Sequence, residues 1–314
     1  MTKRRLGRSE LFIEPLVLGT NVVGWTADER TSFAIFDAYL SEGFNAIDTA
    51  DSYSRWVPGN DSESEKIIGR WMQARGNRDK VLVFTKVGSD MGQGHRDLSA
   101  KWIEAEVEAS LKRLQTDYID LYQSHWPDPN TPQEETLRAH DRLVQAGKVR
   151  VIGTSNHDAT LLTEALDISR REGLARYETL QNEFNLYSRD TFEGPVQDIC
   201  VREQISGIHY FGLAAGFLTG KYRNAADAQK SPRGKGVVDK YLNPKGLRIL
   251  AALDAVAART GAVPSEIALA WVAAQPGVAA PIASATTVEQ VKSLARATRL
   301  SLSAEDVAEL NATG

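Results

Sequence analysis

Two kinds of hydrophobic pattern alternate along this chain. Short strand-like segments occur at Leu16–Thr20, Ala46–Asp48, Val81–Lys86, Tyr118–His125, Val149–Ser155, Glu178–Asn182, Ile208–Tyr210 and Ala279–Ala283, the third a near-continuous apolar run, and each predicts a strand. Between them apolar residues recur every third or fourth position. This predicts helices over Asp28–Glu42, Ser62–Arg75, Ser99–Leu114, Thr131–Ala146, Asp158–Glu172, Phe192–Glu203, Leu247–Thr260 and Pro264–Ala274, with two more at Val288–Thr298 and Ala304–Leu310. Gly43 and Gly147 stand where helices should stop, and Ser62 with Glu65 reads as a capping box. Before the first strand, Arg4–Pro15 predicts a hairpin turning at Leu6–Ser9. Arg223–Gly246 shows no period and reads as a long, basic, structureless connection of the kind that is functional or disordered.

Buried strands alternating with helices predict a parallel sheet. About eight such units favour a (β/α)8 TIM barrel, whose site lies at the C-terminal strand ends. A doubly wound sheet would carry a glycine-rich phosphate turn after its first strand, and Gly19-Thr20-Asn21-Val22-Val23-Gly24 is not G-x-G-x-x-G. The expectation is therefore an α/β chain folded as one barrel domain over residues 1–314, with an N-terminal hairpin and extra C-terminal helices.

Composition narrows the partners. A chain of 314 residues with 42% hydrophobic content can fill one large core, and its net charge of -4 gives no reason to expect nucleic acid. The single cysteine, Cys200, excludes an intrachain disulfide and suits the cytoplasm; its apolar neighbours suggest a packed thiol. No apolar segment follows the basic start at Lys3-Arg4-Arg5, and no run is long enough to span a bilayer, so neither signal peptide nor membrane partner is expected. No metal is expected.

Asp48, Lys86 and His125 end the second, third and fourth strands, and Tyr53 lies in the loop after the second. In a barrel these ends converge. A buried lysine must pair with an anion or lose its charge, and Asp48 is the natural partner. Lys86 beside Tyr53 would favour the phenolate and bring its pKa down from about 10. Such a tyrosine can protonate an oxygen that His125 orients. Each residue alone has a plainer explanation, as a cap, a surface charge or a core histidine; together they point to catalysis.

These residues resemble the signature of the aldo-keto reductase superfamily, and the resemblance runs the whole chain. Gly43–Tyr53 looks like its first signature, Leu121-Tyr122-Gln123-Ser124-His125-Trp126 its histidine strand, and Gly153-Thr154-Ser155-Asn156 its Ser-Asn pair. The resemblance implies a (β/α)8 barrel binding NADP(H), with Asp48, Tyr53, Lys86 and His125 as catalytic tetrad. It implies that Ser155, Asn156 and Gln181 hold the nicotinamide carboxamide and that Tyr210 stacks on the ring. Gly216-Phe217-Leu218-Thr219-Gly220-Lys221 looks like the loop over the pyrophosphate. Thr20, Asp48, Leu213, Gly216, Leu218 and Lys221 join the implied cofactor contacts. Trp25, Trp56 and Trp126 lie just beyond strand ends and would line the pocket for an apolar or aromatic carbonyl compound or a sugar face.

The chain departs from the pattern twice. Phe211-Gly212 replaces the usual Ser-Pro after Tyr210. The segment expected at the adenosine 2′-phosphate has no basic residue before Lys292; Ser284, Thr286 and Gln290 offer neutral donors, and Arg233 could fold over to compensate. NAD(H) use is therefore open beside NADP(H). The implied function is NAD(P)H-dependent reduction of an aldehyde or ketone, or the reverse oxidation. The alternatives are a cofactor-sensing regulatory subunit resembling potassium-channel β subunits and, more remotely, a Schiff-base lyase using Lys86.

Overall fold

The structure is a computed structural model that describes residues 2–314; Met1 lies outside them. A hairpin comes first: β1 (Arg4–Arg5) pairs antiparallel with β2 (Phe12–Ile13). Then β3 (Val17–Gly19), β4 (Ala46–Asp48), β5 (Leu82–Val87), β6 (Ile119–Ser124), β7 (Val149–Ser155), β8 (Tyr177–Gln181), β9 (Ser206–His209) and β10 (Val278–Ala283) pair in parallel in that order, and β10 closes on β3. The fold is the (β/α)8 barrel. Helices α1 (Glu29–Ser41), α2 (Glu63–Arg75), α3 (Ala100–Leu114), α4 (Gln133–Gln145), α5 (Ala159–Glu172) and α6 (Pro195–Glu203) follow successive strands from β3 to β8. After β9 come α7 (Gly234–Tyr241), α8 (Pro244–Thr260) and α9 (Pro264–Ala273); α10 (Val288–Arg299) and α11 (Ala304–Asn311) end the chain.

Strand alternation explains where the site sits. The hairpin's Leu6, Leu11 and Ile13 pack with Val17, Ala46, Phe84 and Leu121 in one apolar cluster. This cluster plugs the N-terminal end of the barrel. Two residues further along each strand, on the same face, stand Asp48, Lys86 and Gln123. An apolar floor thus carries a polar layer at the C-terminal mouth.

Helix starts follow side-chain caps. Asp28, Ser99, Asp158 and Asn243 each accept a backbone N–H at the head of α1, α3, α5 and α8. The capping box expected at α2 does not form: Ser62 is left-handed at φ 54° and makes no cap hydrogen bond. Glu65 turns inward instead, accepting from Thr85 Oγ1 (2.5 Å) and Arg113 Nε (2.6 Å). The charge-assisted pair with Arg113 in the buried layer outweighs a capping bond to the neutral backbone N–H of a serine. The connection after Tyr222 is not structureless. It holds a short 3-10 helix at Ala225–Lys230, then α7, and α8 starts at Pro244 rather than Leu247. Gly234 and Gly236 mask α7 in the sequence, but burial of Val237 and Tyr241 stabilises it.

Several buried polar groups make stability depend on pH. Burial lowers His140 and His157 to about 4, and His209 to about 3. Below about 6.5 the unfolded chain takes up protons that the folded one refuses, so stability should fall as pH drops from 6.5 towards 4, by up to about 1.4 kcal/mol per histidine per unit. Asp51 acts in the opposite sense. Both of its carboxyl oxygens are buried with no side-chain partner among the described residues, and burial, then Glu65 and Glu106, raise it well above 3.8. Folding keeps Asp51 protonated where the unfolded chain would ionise it, which costs stability at neutral pH. We therefore expect Asp51→Asn to be more stable than wild type at pH 7 and to lose stability more steeply on acidification. Urea unfolding at pH 7 and 5 measures both; parallel wild-type and variant curves would contradict the assignment.

Candidate active site

Asp48 is the last residue of β4, and Lys86 lies one before the end of β5. Both are essentially buried, at 1% and 0% exposure. Lys86 Nζ donates to Asp48 Oδ2 (2.7 Å), to the Thr49 carbonyl (2.7 Å) and to the Tyr53 hydroxyl (3.1 Å). All three ammonium protons are thus used, the condition under which a buried ion pair is tolerated. Asp48 Oδ1 accepts from Gln181 Nε2 (2.9 Å) and Gln123 Nε2 (3.4 Å), and its carbonyl accepts from Thr20 Oγ1 (2.9 Å).

Tyr53, half-buried in the loop between β4 and α2, presents its ring edge-on to His125 and to Trp56, with centroids 6.0 Å and 6.3 Å apart. His125 follows the last residue of β6, its N–H bonded to the Val87 carbonyl (2.8 Å). Its ring stacks on Trp126 at 5.6 Å and 18°. The tetrad predicted from sequence is therefore one contiguous cluster.

The electrostatics correct one expectation. Burial raises the Tyr53 hydroxyl; Lys86 pulls it down and Asp48 pushes it up, and the net lies above 10. Tyr53 is held as a neutral phenol, the form that can donate a proton. For Lys86, burial disfavours the charge, but Asp48 and Tyr53 outweigh it and the net is upward. Burial, then Lys86 and Arg96, push His125 well below 6.5, so its ring is neutral at pH 7.

Beside the tetrad a second set is joined to it. Asn156 adopts φ 59°, and its Nδ2 donates to the His125 carbonyl and Ser155 Oγ, each at 3.0 Å. Tyr210 donates its hydroxyl to Asn156 Oδ1 (2.8 Å). Ser155, Asn156, Gln181 and Tyr210 thus form one network that reaches Asp48. Beyond Tyr210 the chain turns through left-handed residues: Phe211 (φ 57°), Ala214 (φ 47°), Ala215 (φ 54°) and Gly216 (φ 95°). The Lys221 ammonium folds back against this turn, 3.8 Å from where a side chain on Gly216 would begin. Leu213 is half-buried at its base. Leu218 is fully buried and its N–H is spent on the Leu213 carbonyl (3.2 Å), so it offers the cleft no free donor.

Arg233 lies over the Trp25 ring at 4.6 Å and, among the described residues, makes no ion pair. Trp25 meets Trp56 edge-on at 5.8 Å. Trp56 is 51% exposed. Across the mouth, Ser284 Oγ donates to Asn21 Oδ1 (2.7 Å), while Gln290 Oε1 accepts from the Thr286 amide (2.7 Å) and hydroxyl (3.2 Å).

Sequence reasoning missed three neighbours. Gln123 stands on the same strand face as His125, two residues before it, and that spacing was the available signal. Ser89, whose Oγ is 2.9 Å from His125 Nδ1, and Arg96, 4.6 Å above the Trp126 ring, lie in the loop after β5, where no periodicity marks them.

The model of the aldo/keto reductase family matches residues 15–314. The chain belongs to this family. Among its relatives, "Protein tas" of Escherichia coli is 32% identical over 99% of this chain and 97% of that protein. "Aldo-keto reductase YhdN" of Bacillus subtilis is 35% identical over 94% of this chain and 88% of its own. A "Probable voltage-gated potassium channel subunit beta" of rice, Oryza sativa subsp. japonica, is 32% identical over 93% and 89%. This aldo/keto reductase family member is thus matched along nearly its whole length by an aldo-keto reductase and by a probable channel subunit. No helix of the described residues is long and apolar enough to cross a membrane.

Proposed function

We propose that this protein reduces a small aldehyde or ketone, or oxidises the corresponding alcohol, with NADP(H), Tyr53 being the proton donor. The observation that carries this reading is the Tyr53 hydroxyl held 3.1 Å from an ammonium that is itself fixed by Asp48. When bound, the dihydronicotinamide supplies the hydride. Tyr53, neutral at pH 7, gives its proton to the carbonyl oxygen, and Lys86 stabilises the phenolate left behind. Asp48 keeps Lys86 charged, and Gln123 and Gln181 keep Asp48 in place. Ser89 Oγ accepts from Ser52 Oγ (3.3 Å) and lies 2.9 Å from His125 Nδ1; in the tautomer in which Ser89 donates to Nδ1, the ring proton sits on Nε2. His125 Nε2–H can then hydrogen-bond the carbonyl oxygen and orient it.

The residues fit a nicotinamide cofactor. Ser155, Asn156 and Gln181 supply amide and hydroxyl partners for a carboxamide, Tyr210 an aromatic face, and the turn at Gly216 with Lys221 a place for phosphate. Trp25, Trp56 and Trp126 would line the substrate pocket. The single cysteine suits a cytoplasmic enzyme. The rice relative keeps a second reading open, in which the cofactor is held to regulate a partner. A Schiff-base role has little support, since Lys86 is held charged and has no free amine. Following NADPH oxidation with a panel of aldehydes separates these readings. Saturable turnover supports the reductase; tight NADPH binding without turnover favours the regulatory subunit.

Cofactor choice gives a finer test. Ser284, committed to Asn21, and Thr286 and Gln290, committed to each other, are neutral, and neutral hydrogen bonds to a phosphate are about half as strong as charge-assisted ones. Arg233, half-buried and without an ion pair among the described residues, is the candidate compensating cation in the basic connection. NADPH should be accepted, with modest discrimination against NADH. Thr286→Arg should sharpen the preference by about 1.5–3 kcal/mol in kcat/KM. Strong wild-type NADPH selectivity, unchanged by Thr286→Arg and abolished by Arg233→Ala, would move recognition to the 223–246 segment.

A further inference from the structure

A line of ring contacts crosses the mouth of the barrel with an arginine at each end. Arg233 covers Trp25, Trp25 meets Trp56, Trp56 meets Tyr53, Tyr53 meets His125, His125 stacks on Trp126, and Arg96 covers Trp126. The Arg233 end lies in the basic connection proposed above as a source of charge for the cofactor phosphate. The Arg96 end lies in the loop after β5, at the far side of His125 along this line.

Arg96 is exposed and, among the described residues, has neither an ion pair nor a hydrogen bond from its guanidinium. The carboxylates of its own loop are committed elsewhere. Asp90 Oδ1 accepts the Gly92 and Gly94 amides, and Asp97 Oδ1 the Ser99 amide. Asp128, next to Trp126 in the chain's following turn, accepts from Leu98 and Thr131. A guanidinium lying on an indole face is fixed in orientation while its N–H edge stays free, and that edge matches a carboxylate or phosphate in two-pronged fashion. Such a contact lies one aromatic ring beyond the histidine that faces Tyr53.

We propose that Arg96, laid on Trp126, is the anion-recognising residue of the substrate pocket, and that the preferred substrates are carbonyl compounds bearing a carboxylate or phosphate at the end remote from the carbonyl. This rests on the carbonyl-reductase reading of the same site. The trunk of the substrate packs along Trp126, the carbonyl oxygen reaches Tyr53 and His125, and the anion meets Arg96.

The test compares matched pairs: 4-carboxybenzaldehyde with its methyl ester, and glyceraldehyde 3-phosphate with glyceraldehyde. The readout is the ratio of kcat/KM within each pair, so that a general loss of activity cancels. Wild type should favour the anionic member of at least one pair. Arg96→Ala should lower that ratio roughly 10- to 100-fold, mostly through KM, and Arg96→Lys should restore part of it. Which pair responds names the anion. A wild type with no anion preference in either pair, an unchanged ratio in Arg96→Ala, or a ratio abolished by Arg233→Ala instead would overturn the proposal. Calorimetric titration of the NADP⁺-loaded protein with 4-(hydroxymethyl)benzoate and with glycerol 3-phosphate gives a readout without turnover. Binding of either that weakens at least tenfold in Arg96→Ala keeps the anion site even if no aldehyde is reduced; turnover with Arg96-independent selectivity keeps the reductase and removes the site.

Discussion

Replacing Tyr53 by phenylalanine should lower kcat by on the order of 10²–10⁴-fold while leaving cofactor affinity near the wild-type value. The substitution removes one oxygen and little else. The ring keeps its edge contacts with His125 and Trp56, and among the described residues the hydroxyl's hydrogen-bond partner is Lys86. Fluorescence titration with NADPH and steady-state rates on the same preparation separate binding from chemistry. A variant that binds NADPH normally and turns over at the wild-type rate would remove Tyr53 from the proton-donor role.

Changing Lys86 to methionine should abolish most activity and also destabilise the fold by about 3–5 kcal/mol, the usual consequence of stripping one partner from a buried ion pair. Methionine fills a similar volume, so the loss is electrostatic. Asp48 would keep Gln123 and Gln181 as donors but lose its counter-charge, and the Thr49 carbonyl and Tyr53 hydroxyl would lose theirs as well. Tyr53 would also lose the cation that stabilises its phenolate. Chemical unfolding measures the stability term and the aldehyde assay the catalytic one. An active variant with unchanged unfolding would place Lys86 outside the site.

The barrel was legible because most of its strand residues are buried and several strands, such as Leu82–Val87 and Val278–Ala283, read as largely apolar runs, while each helix shows its own period. The tetrad was legible for a related reason. A lysine directly after Val83-Phe84-Thr85, and an aspartate after Ala46-Ile47, are charges in places where only a partner makes them tolerable. What escaped the sequence depends on distant contacts. Glu65 looked like a cap because its spacing from Ser62 is local, whereas its pairing with Arg113 spans two helices. Helix α7 was hidden by two glycines and is stabilised by burial that no local pattern shows. The direction of the Tyr53 shift was misjudged because the lysine was visible in the sequence and the depth of burial was not. Arg96 went unnoticed because a loop residue acquires significance only from the ring beneath it.

The most direct test of the central claim is to follow the hydride. Wild-type protein incubated with an accepted aldehyde and NADPH deuterated at both C4 positions in ordinary water should yield alcohol carrying one deuterium on the former carbonyl carbon, and Tyr53→Phe should yield far less of it in the same time. Alcohol formed without deuterium at that carbon, or NADPH consumed with no alcohol produced, would contradict the account.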